Sequence, residues 1–393
     1  MTRSAGSSTA NPRPEQALSG EPRVPTLFER WLSVRNRLLA DQRFQKFASA
    51  TPGLRSVARK KASGVFDILS GFIYSQVLLA CIRLDLLRRV QDEPKTLEAL
   101  AASAKLQPDP ARRLFDAAVS LDLMCRLSDG RYGLGMNGAA VLANPGIAAM
   151  VEHNAILYED LKDPVDFLRN PDRETALSRY WAYARAADPS ALGDDEVGGY
   201  SALMSASQPL VAEEILDAYS LGEHTCLLDV GGGEGRFLIS AGTRYPHLRL
   251  MMFDLPAVAA RAEQRLAAAG MAARTRVYGG NFFTDELPKG ADTVTLIRIL
   301  HDHDDENAAR LLINIRSALP QGGRLLLAEP LSETPGAERM GDAYFGFYLM
   351  AMRSGRPRSY ETIAGMLQRS GYRDIRRIPT RVPLQTSLIV AQT

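Results

Sequence analysis

From residue 226 to the C-terminus, short apolar runs at 227–230, 249–253, 275–278, 293–300, 324–328 and 388–390 alternate with longer amphipathic stretches. This alternation restricts the fold more than any other feature of the chain. Each apolar run is too short for a core helix and ends near glycine, proline or a charged residue, so it predicts a strand, and the stretches between predict covering helices. A chain of this kind forms an α/β domain with a doubly wound, mostly parallel sheet. Such sheets bind ligands beyond the carboxyl ends of their strands, where the strand order reverses. The residues following each strand are therefore the place to look for chemistry.

Four strand ends stand out. The first reads Asp229-Val230-Gly231-Gly232-Gly233-Glu234-Gly235 before a helical run, and its glycines permit a sharp turn and close approach to a ligand. A dinucleotide fingerprint needs glycine at 236, which is Arg236, and Asp229 and Glu234 would repel a diphosphate but suit a cationic ligand. The second ends in Phe253-Asp254-Leu255-Pro256, a carboxylate placed either for a ribose diol or as a helix cap. The third leads to Gly279-Gly280-Asn281-Phe282-Phe283, an amide and rings suited to an adenine, or simply a turn. The fourth delivers His301-Asp302-His303-Asp304-Asp305-Glu306. His-x-His with carboxylates resembles a metal site, but His153, His224 and His247 lack ligand spacing, so no metal is expected. Asp304 and Asp305 fit the first turn of the next helix.

The N-terminal part reads differently. Residues 1–22 predict a disordered leader, and 27–47 a basic amphipathic helix that either packs on the domain behind it or touches anionic lipid. Residues 1–61 hold twelve Lys/Arg against four Asp/Glu, although the whole chain carries a net charge of only +2, which excludes a dedicated nucleic-acid binder. Residues 62–145 predict helices at 65–90, 96–104 and 110–123, then a hairpin of 124–127 and 132–134 around Asp129-Gly130. That is a winged-helix layout, but Leu114, Phe115, Ala117, Ala118, Val119 and Leu121 make its third helix a packing element, so no nucleic acid is expected. Residues 146–220 predict a helical linker and substrate cap with a Gly/Asp loop at 188–199. The helix at 340–352 offers Met340, Tyr344, Phe345, Tyr348 and Met352, either as an apolar wall or as ordinary core. Cys81, Cys125 and Cys226 read as reduced thiols of a cytoplasmic protein. The longest apolar run, 71–87, is broken by Ser75, Gln76, Arg83 and Asp85, so no membrane span or secretion signal is expected.

In order and spacing, Leu228 to Gly235, Phe253-Asp254-Leu255-Pro256, Gly279 to Phe283 and Leu300-His301-Asp302 resemble the plant-type S-adenosylmethionine-dependent O-methyltransferases over residues 62–393. The resemblance implies a Rossmann-like methyltransferase sheet at 221–393, a winged-helix dimerisation domain at 62–145, a homodimer, and S-adenosyl-L-methionine as cofactor. It makes His301 the proton acceptor, braced by Glu329. It gives Gly231, Gly233, Asp254, Leu255, Asn281, Phe282 and Arg298 to the cofactor, with Ser207 near its carboxylate. A second bracing glutamate falls near Pro357 or Glu361. Arg298 stands for a usual lysine, Asn281 for an aspartate and His303 for a tryptophan. Residues 31–47, with Tyr74 to Cys81, look like the hydroxycarotenoid O-methyltransferases of purple photosynthetic bacteria. That narrower likeness implies a hydroxylated acyclic carotenoid of spheroidene biosynthesis, an apolar substrate, and peripheral contact with the inner membrane through residues 27–61. A phenolic substrate, a ligand-responsive winged-helix regulator and a nicotinamide enzyme are the alternatives.

Overall fold

The computed structural model describes residues 26–181, 193–383 and 386–393, apart from the side chains of 194–202, 206 and 207. The leader expected at 1–22 lies outside them. The chain forms two units, one ending at Tyr74 and one beginning at Ser75.

The first unit is helical: α1 (Leu27–Ala40), α2 (Gln42–Ala50) and most of α3 (Pro52–Arg83). A capping box starts α1, with the Glu29 N–H donating to Thr26 Oγ1 at 3.2 Å and the Thr26 N–H to Glu29 Oε2 at 2.6 Å. The single helix expected at 27–47 is broken at Asp41. Its backbone is extended, and its carboxylate caps α2 by accepting the Arg43 N–H at 2.6 Å. On α1, Leu27, Phe28, Trp31, Val34 and Leu38 are all exposed. α3 starts well before the expected residue 65, and so gathers Val65, Phe66, Ile68, Leu69, Phe72 and Ile73 into one helix. By length and composition only, it is apolar enough to cross a membrane.

In the second unit, helices Leu97–Ser103 and Pro108–Ser120 pack with the hairpin of β1 (Met124–Arg126) and β2 (Tyr132–Leu134). Phe115 and Tyr132 meet edge to face at 5.3 Å in this small core, while Arg112 and Arg113 stay outside. Packing therefore claims the apolar face of the third helix of the winged layout. Helices Pro145–Asp160, Pro164–Arg169, Ala176–Tyr180 and Asp194–Ala218 follow. The Gly/Asp loop expected at 188–199 is helical from Asp194 on, and its residues 188–192 lie outside the described chain. The apolar residues Leu203, Val211, Ala212, Ile215 and Leu216 of that helix are buried, and such packing outweighs the local cost of Gly198 and Gly199.

The sheet comprises β3 (Cys226–Val230), β4 (Arg249–Asp254), β5 (Thr275–Gly279), β6 (Thr293–Ile297), β7 (Arg324–Glu329), β8 (Arg373–Ile378) and β9 (Ser387–Gln392), in the order β5-β4-β3-β6-β7-β9-β8. β3 to β7 are parallel, and β9 runs antiparallel to both β7 and β8. Every residue of β3 and β6 is buried, as a strand covered on both faces requires. β6 stops at Ile297, short of the expected 300, because Arg298 turns the chain with φ 58°. β8 was not expected: Arg-Asp-Ile-Arg-Arg-Ile has no apolar run, and as an edge strand it does not need one.

Candidate active site

The strand order reverses between β3 and β6, and their carboxyl ends open into a cavity lined by residues that follow β3, β4, β5 and β6.

One side is built largely from backbone. The chain leaves β3 through Gly231, Gly233 and Gly235, at φ 69°, 57° and 75°. Gly231 must also lack a Cβ, which would stand 2.6 Å from Ile299 Cδ1. The turn brings the Gly233 N–H to Asp254 Oδ2 at 2.8 Å, and the Leu255 N–H donates to Oδ1 at 2.7 Å. Burial pushes the Asp254 carboxyl up to about 6, against the pull of those two N–H groups. At neutral pH it is ionised, with lone pairs left for hydroxyl donors. Leu255, Asn281 and Phe282 line the same side. Asn281 Oδ1 accepts the Phe283 N–H at 3.0 Å, so only part of its accepting capacity is left for a ligand.

Two carboxylates do not serve as their positions suggested. Asp229 is buried and accepts from Thr295 Oγ1 at 2.7 Å, and burial pushes it up to about 7. Glu234 is clamped by Arg261 at 3.1 Å and Arg265 at 2.6 Å. Neither offers a bare charge to a cation.

The other side is built from side chains. After Arg298, the short turn Leu300–Asp302 presents His301. Glu329, the last residue of β7, accepts the Ile299 and Leu300 N–H groups on Oε1 at 3.1 and 2.7 Å and sets Oε2 against His301 Nδ1. The opposite ring nitrogen, Nε2, stands 3.2 Å from Asp302 Oδ1. Burial works to lower the His301 pKa, but Glu329 and Asp302 outweigh it, with Arg298 opposing them, and hold it above the usual histidine value. His303 goes the other way: burial, helped by the charge of His301, pulls it down to about 4. It is a neutral ring, edge-on to Phe283 and Phe282 at 4.9 and 5.6 Å between centroids. The His-x-His sequence is thus one charged-side base candidate and one aromatic neighbour.

Met150, Trp181, Tyr344, Phe345, Tyr348 and Met352 form the remaining wall. The expected helix at 340–352 is π-helical over Arg339–Tyr344 and α-helical over Phe345–Met352. The Trp181 indole N–H donates to Tyr348 Oη at 2.8 Å, His153 Nε2 meets the same oxygen at 2.7 Å, and Tyr344 Oη donates to Asn154 Oδ1 at 2.9 Å. With these polar ends satisfied inside the protein, the wall offers a ligand rings and thioethers. Thus Gly231, Gly233, Asp254, Leu255, Asn281, Phe282, Arg298 and His301 line one cavity, with Glu329 behind His301. Ser207 lies on the helix Asp194–Ala218, its side chain outside the described residues.

A family model described as an O-methyltransferase domain matches residues 158–373, and one described as an O-methyltransferase dimerisation domain matches residues 66–143. The chain belongs to the S-adenosylmethionine-dependent O-methyltransferase family. This O-methyltransferase is 44% identical to a demethylspheroidene O-methyltransferase of Cereibacter sphaeroides, covering 90% of this chain and 93% of that one. It is 37% identical to the protein of that name in Rhodobacter capsulatus, over 91% of this chain and 88% of that one. Among solved structures, human N-acetylserotonin methyltransferase in complex with SAM shares the fold, with a TM-score of 0.70, 23% identity, and coverage of 85% and 97%.

Sequence reading missed three parts of this O-methyltransferase's site. The second carboxylate at the imidazole is Asp302; Glu361 is exposed on the helix Tyr360–Arg369, and Pro357 bears no charge. His153 and Trp181 back the wall from far away in sequence. Arg358, buried behind the His301 turn, had no signal at all.

Proposed function

We propose that this chain transfers a methyl group from S-adenosyl-L-methionine to a hydroxyl of an apolar small molecule, a hydroxylated acyclic carotenoid of spheroidene biosynthesis. The observation that carries the reading is His301, a buried imidazole between two carboxylates, lining one cavity with Asp254 and the glycine turn. The residues present fit the methyl donor. Asp254 keeps lone pairs for a ribose diol, the glycines let backbone come close, Leu255, Asn281 and Phe282 suit an adenine, and Arg298 and Ser207 are assigned to the same ligand. S-adenosylmethionine, when bound, supplies an electrophilic methyl on a sulfonium.

Glu329 holds the proton on His301 Nδ1, which leaves Nε2 to take the hydroxyl proton. An aliphatic alcohol at ~16 and a histidine at ~6.5 are separated by about 13 kcal/mol for full ionisation. The carboxylates narrow that gap without closing it, so the proton moves as, or after, the carbon–oxygen bond forms. A phenol near ~10 faces only about 5 kcal/mol, so the base alone does not choose the substrate. Support for the carotenoid comes from the names of the two relatives and from the wall's satisfied polar ends. Incubation with methyl-labelled donor and either a carotenoid alcohol or a set of phenols tests this. Label is expected in the carotenoid, and label in phenols alone overturns the choice.

We further infer domains at 62–145 for dimerisation, 146–220 for the substrate cap and 221–393 for the cofactor, in a cytoplasmic homodimer. Residues 27–61 make peripheral contact with an anionic membrane. They carry nine Lys/Arg against Glu29 and Asp41, and α1 exposes Phe28 and Trp31, stacked at 5.9 Å, beside Leu27, Val34 and Leu38. Deleting residues 1–50 is expected to reduce salt-sensitive co-sedimentation with anionic vesicles. Unchanged sedimentation removes the membrane from the account.

A further inference from the structure

A three-residue turn leaves most of its carbonyls without a partner of its own: only the Leu300 oxygen accepts from inside it, from the His303 N–H at 3.4 Å, and the turn carrying His301 is buried. All four carbonyls from residue 300 to 303 accept hydrogen bonds from one short segment, 354–358. Arg358 Nη1 donates to the Leu300 oxygen at 2.8 Å and Nη2 to the His303 oxygen at 2.7 Å; the Arg356 N–H donates to the His301 oxygen at 2.9 Å; Ser354 Oγ donates to the Asp302 oxygen. The guanidinium thus straddles the turn, and Asp305 Oδ1 fixes it by accepting from Nε at 3.0 Å and from Nη2 at 2.8 Å. The Arg358 carbonyl in turn accepts the N–H of Ser332, three residues past Glu329, at 3.0 Å. Arg358 is therefore tied both to the turn that bears the imidazole and to the loop leaving the strand that bears its carboxylate partner. Between them, Gly355 at φ 72° lies so close that a Cβ there would stand 1.8 Å from the His301 carbonyl oxygen.

We propose that Arg358 is a positioning residue for methyl transfer: through four backbone carbonyls, the strap at 354–358 holds the His301 imidazole in register with Glu329. This rests on His301 being the base. A planar, five-donor guanidinium suits the task because it reaches two carbonyls and a carboxylate at once, which an ammonium on a flexible stem does not. Placement errors of about 1 Å cost on the order of 10²-fold in rate, so a loosened strap reduces turnover before it reduces binding.

The test compares Arg358→Lys, Gly355→Ala and His301→Ala in the full-length protein, measuring kcat, both KM values and the Kd of S-adenosylhomocysteine. Arg358→Lys and Gly355→Ala are each expected to lower kcat at least tenfold, with both KM values and the Kd within about twofold of wild type. Arg358→Lys keeps the charge but loses the fork, and Gly355→Ala presses a Cβ onto backbone; Asp305→Ala, which frees the guanidinium from a side chain half in solvent, is expected to lower kcat in the same way and decides if neither strap variant folds. Normal kcat in the strap variants with an inactive His301→Ala overturns the strap, and so does a fall in kcat matched by an equal loss of S-adenosylhomocysteine binding, the signature of a merely structural role. Normal turnover in His301→Ala removes the base assignment itself, and the strap proposal with it.

Discussion

Asp254 and His301 line the same cavity but are held in opposite ways. Asp254 is fixed by backbone N–H groups one and 21 residues away, and the glycine turn needs only three glycines in one heptapeptide. His301 is fixed by side chains: Glu329 at a separation of 28 residues, Asp302 next door, and Arg358 acting on the turn from 58 residues beyond Leu300. Their electrostatics differ in the same sense. Asp254 is a carboxylate whose burial works against its charge, whereas the imidazole's positive charge is favoured by two carboxylates. The first arrangement suits holding a ligand, and the second suits receiving a proton.

The largest expected effect that separates the two sides is Glu329→Gln. The amide keeps the volume and can still accept from Ile299 and Leu300, but it turns an N–H toward Nδ1 and so forces the proton onto Nε2. Turnover should fall by about 10²–10⁴-fold while S-adenosylhomocysteine binding holds, as steady-state kinetics and calorimetry would show. Next comes pH. His301 must be neutral to act as base, so with its pKa held above the usual value the acid limb of kcat/KM lies above ~6.5. Asp254 must be ionised to accept hydroxyl protons, so S-adenosylhomocysteine affinity is lost only as pH drops through about 6. Asp302→Asn removes one of the carboxylates that raise His301 and should move the kinetic limb down while leaving the binding limb in place. If both limbs move together, the two sides are coupled. The smallest effect is Gly233→Ala. Nothing lies within 4 Å of the added Cβ, so only the left-handed backbone at φ 57° resists it. That is worth about 1–2 kcal/mol, or a few degrees in thermal midpoint, and because Gly233 lines the donor's side of the cavity the KM for S-adenosylmethionine should rise with kcat nearly unchanged.

The same contrast explains what was legible in the sequence. The strands from Cys226 to Glu329, the glycine turn and Asp254 are local patterns in which spacing encodes geometry, so they could be read directly. β8 could not, because an edge strand need not be apolar, nor could the break at Asp41, where one capping carboxylate overrides a continuous amphipathic pattern. On the base side, Asp302 was visible as a residue but not as a partner, since only the turn after Arg298 bends it back to Nε2. Glu234 looked like a charge open to a ligand until folding placed Arg261 and Arg265 one helix away. The side chains of His153, Trp181 and Arg358 act through hydrogen-bond partners 53 to 195 residues distant, and no periodicity records such contacts.

The division of labour is tested most directly by calorimetry of S-adenosylhomocysteine against wild type, Asp254→Ala and His301→Ala. Binding should weaken at least tenfold in Asp254→Ala, because a ligand diol loses a charged acceptor worth about 1.5–3 kcal/mol per hydrogen bond, and stay within twofold of wild type in His301→Ala. Equal losses in both variants, or an unaffected Asp254→Ala, would contradict the account.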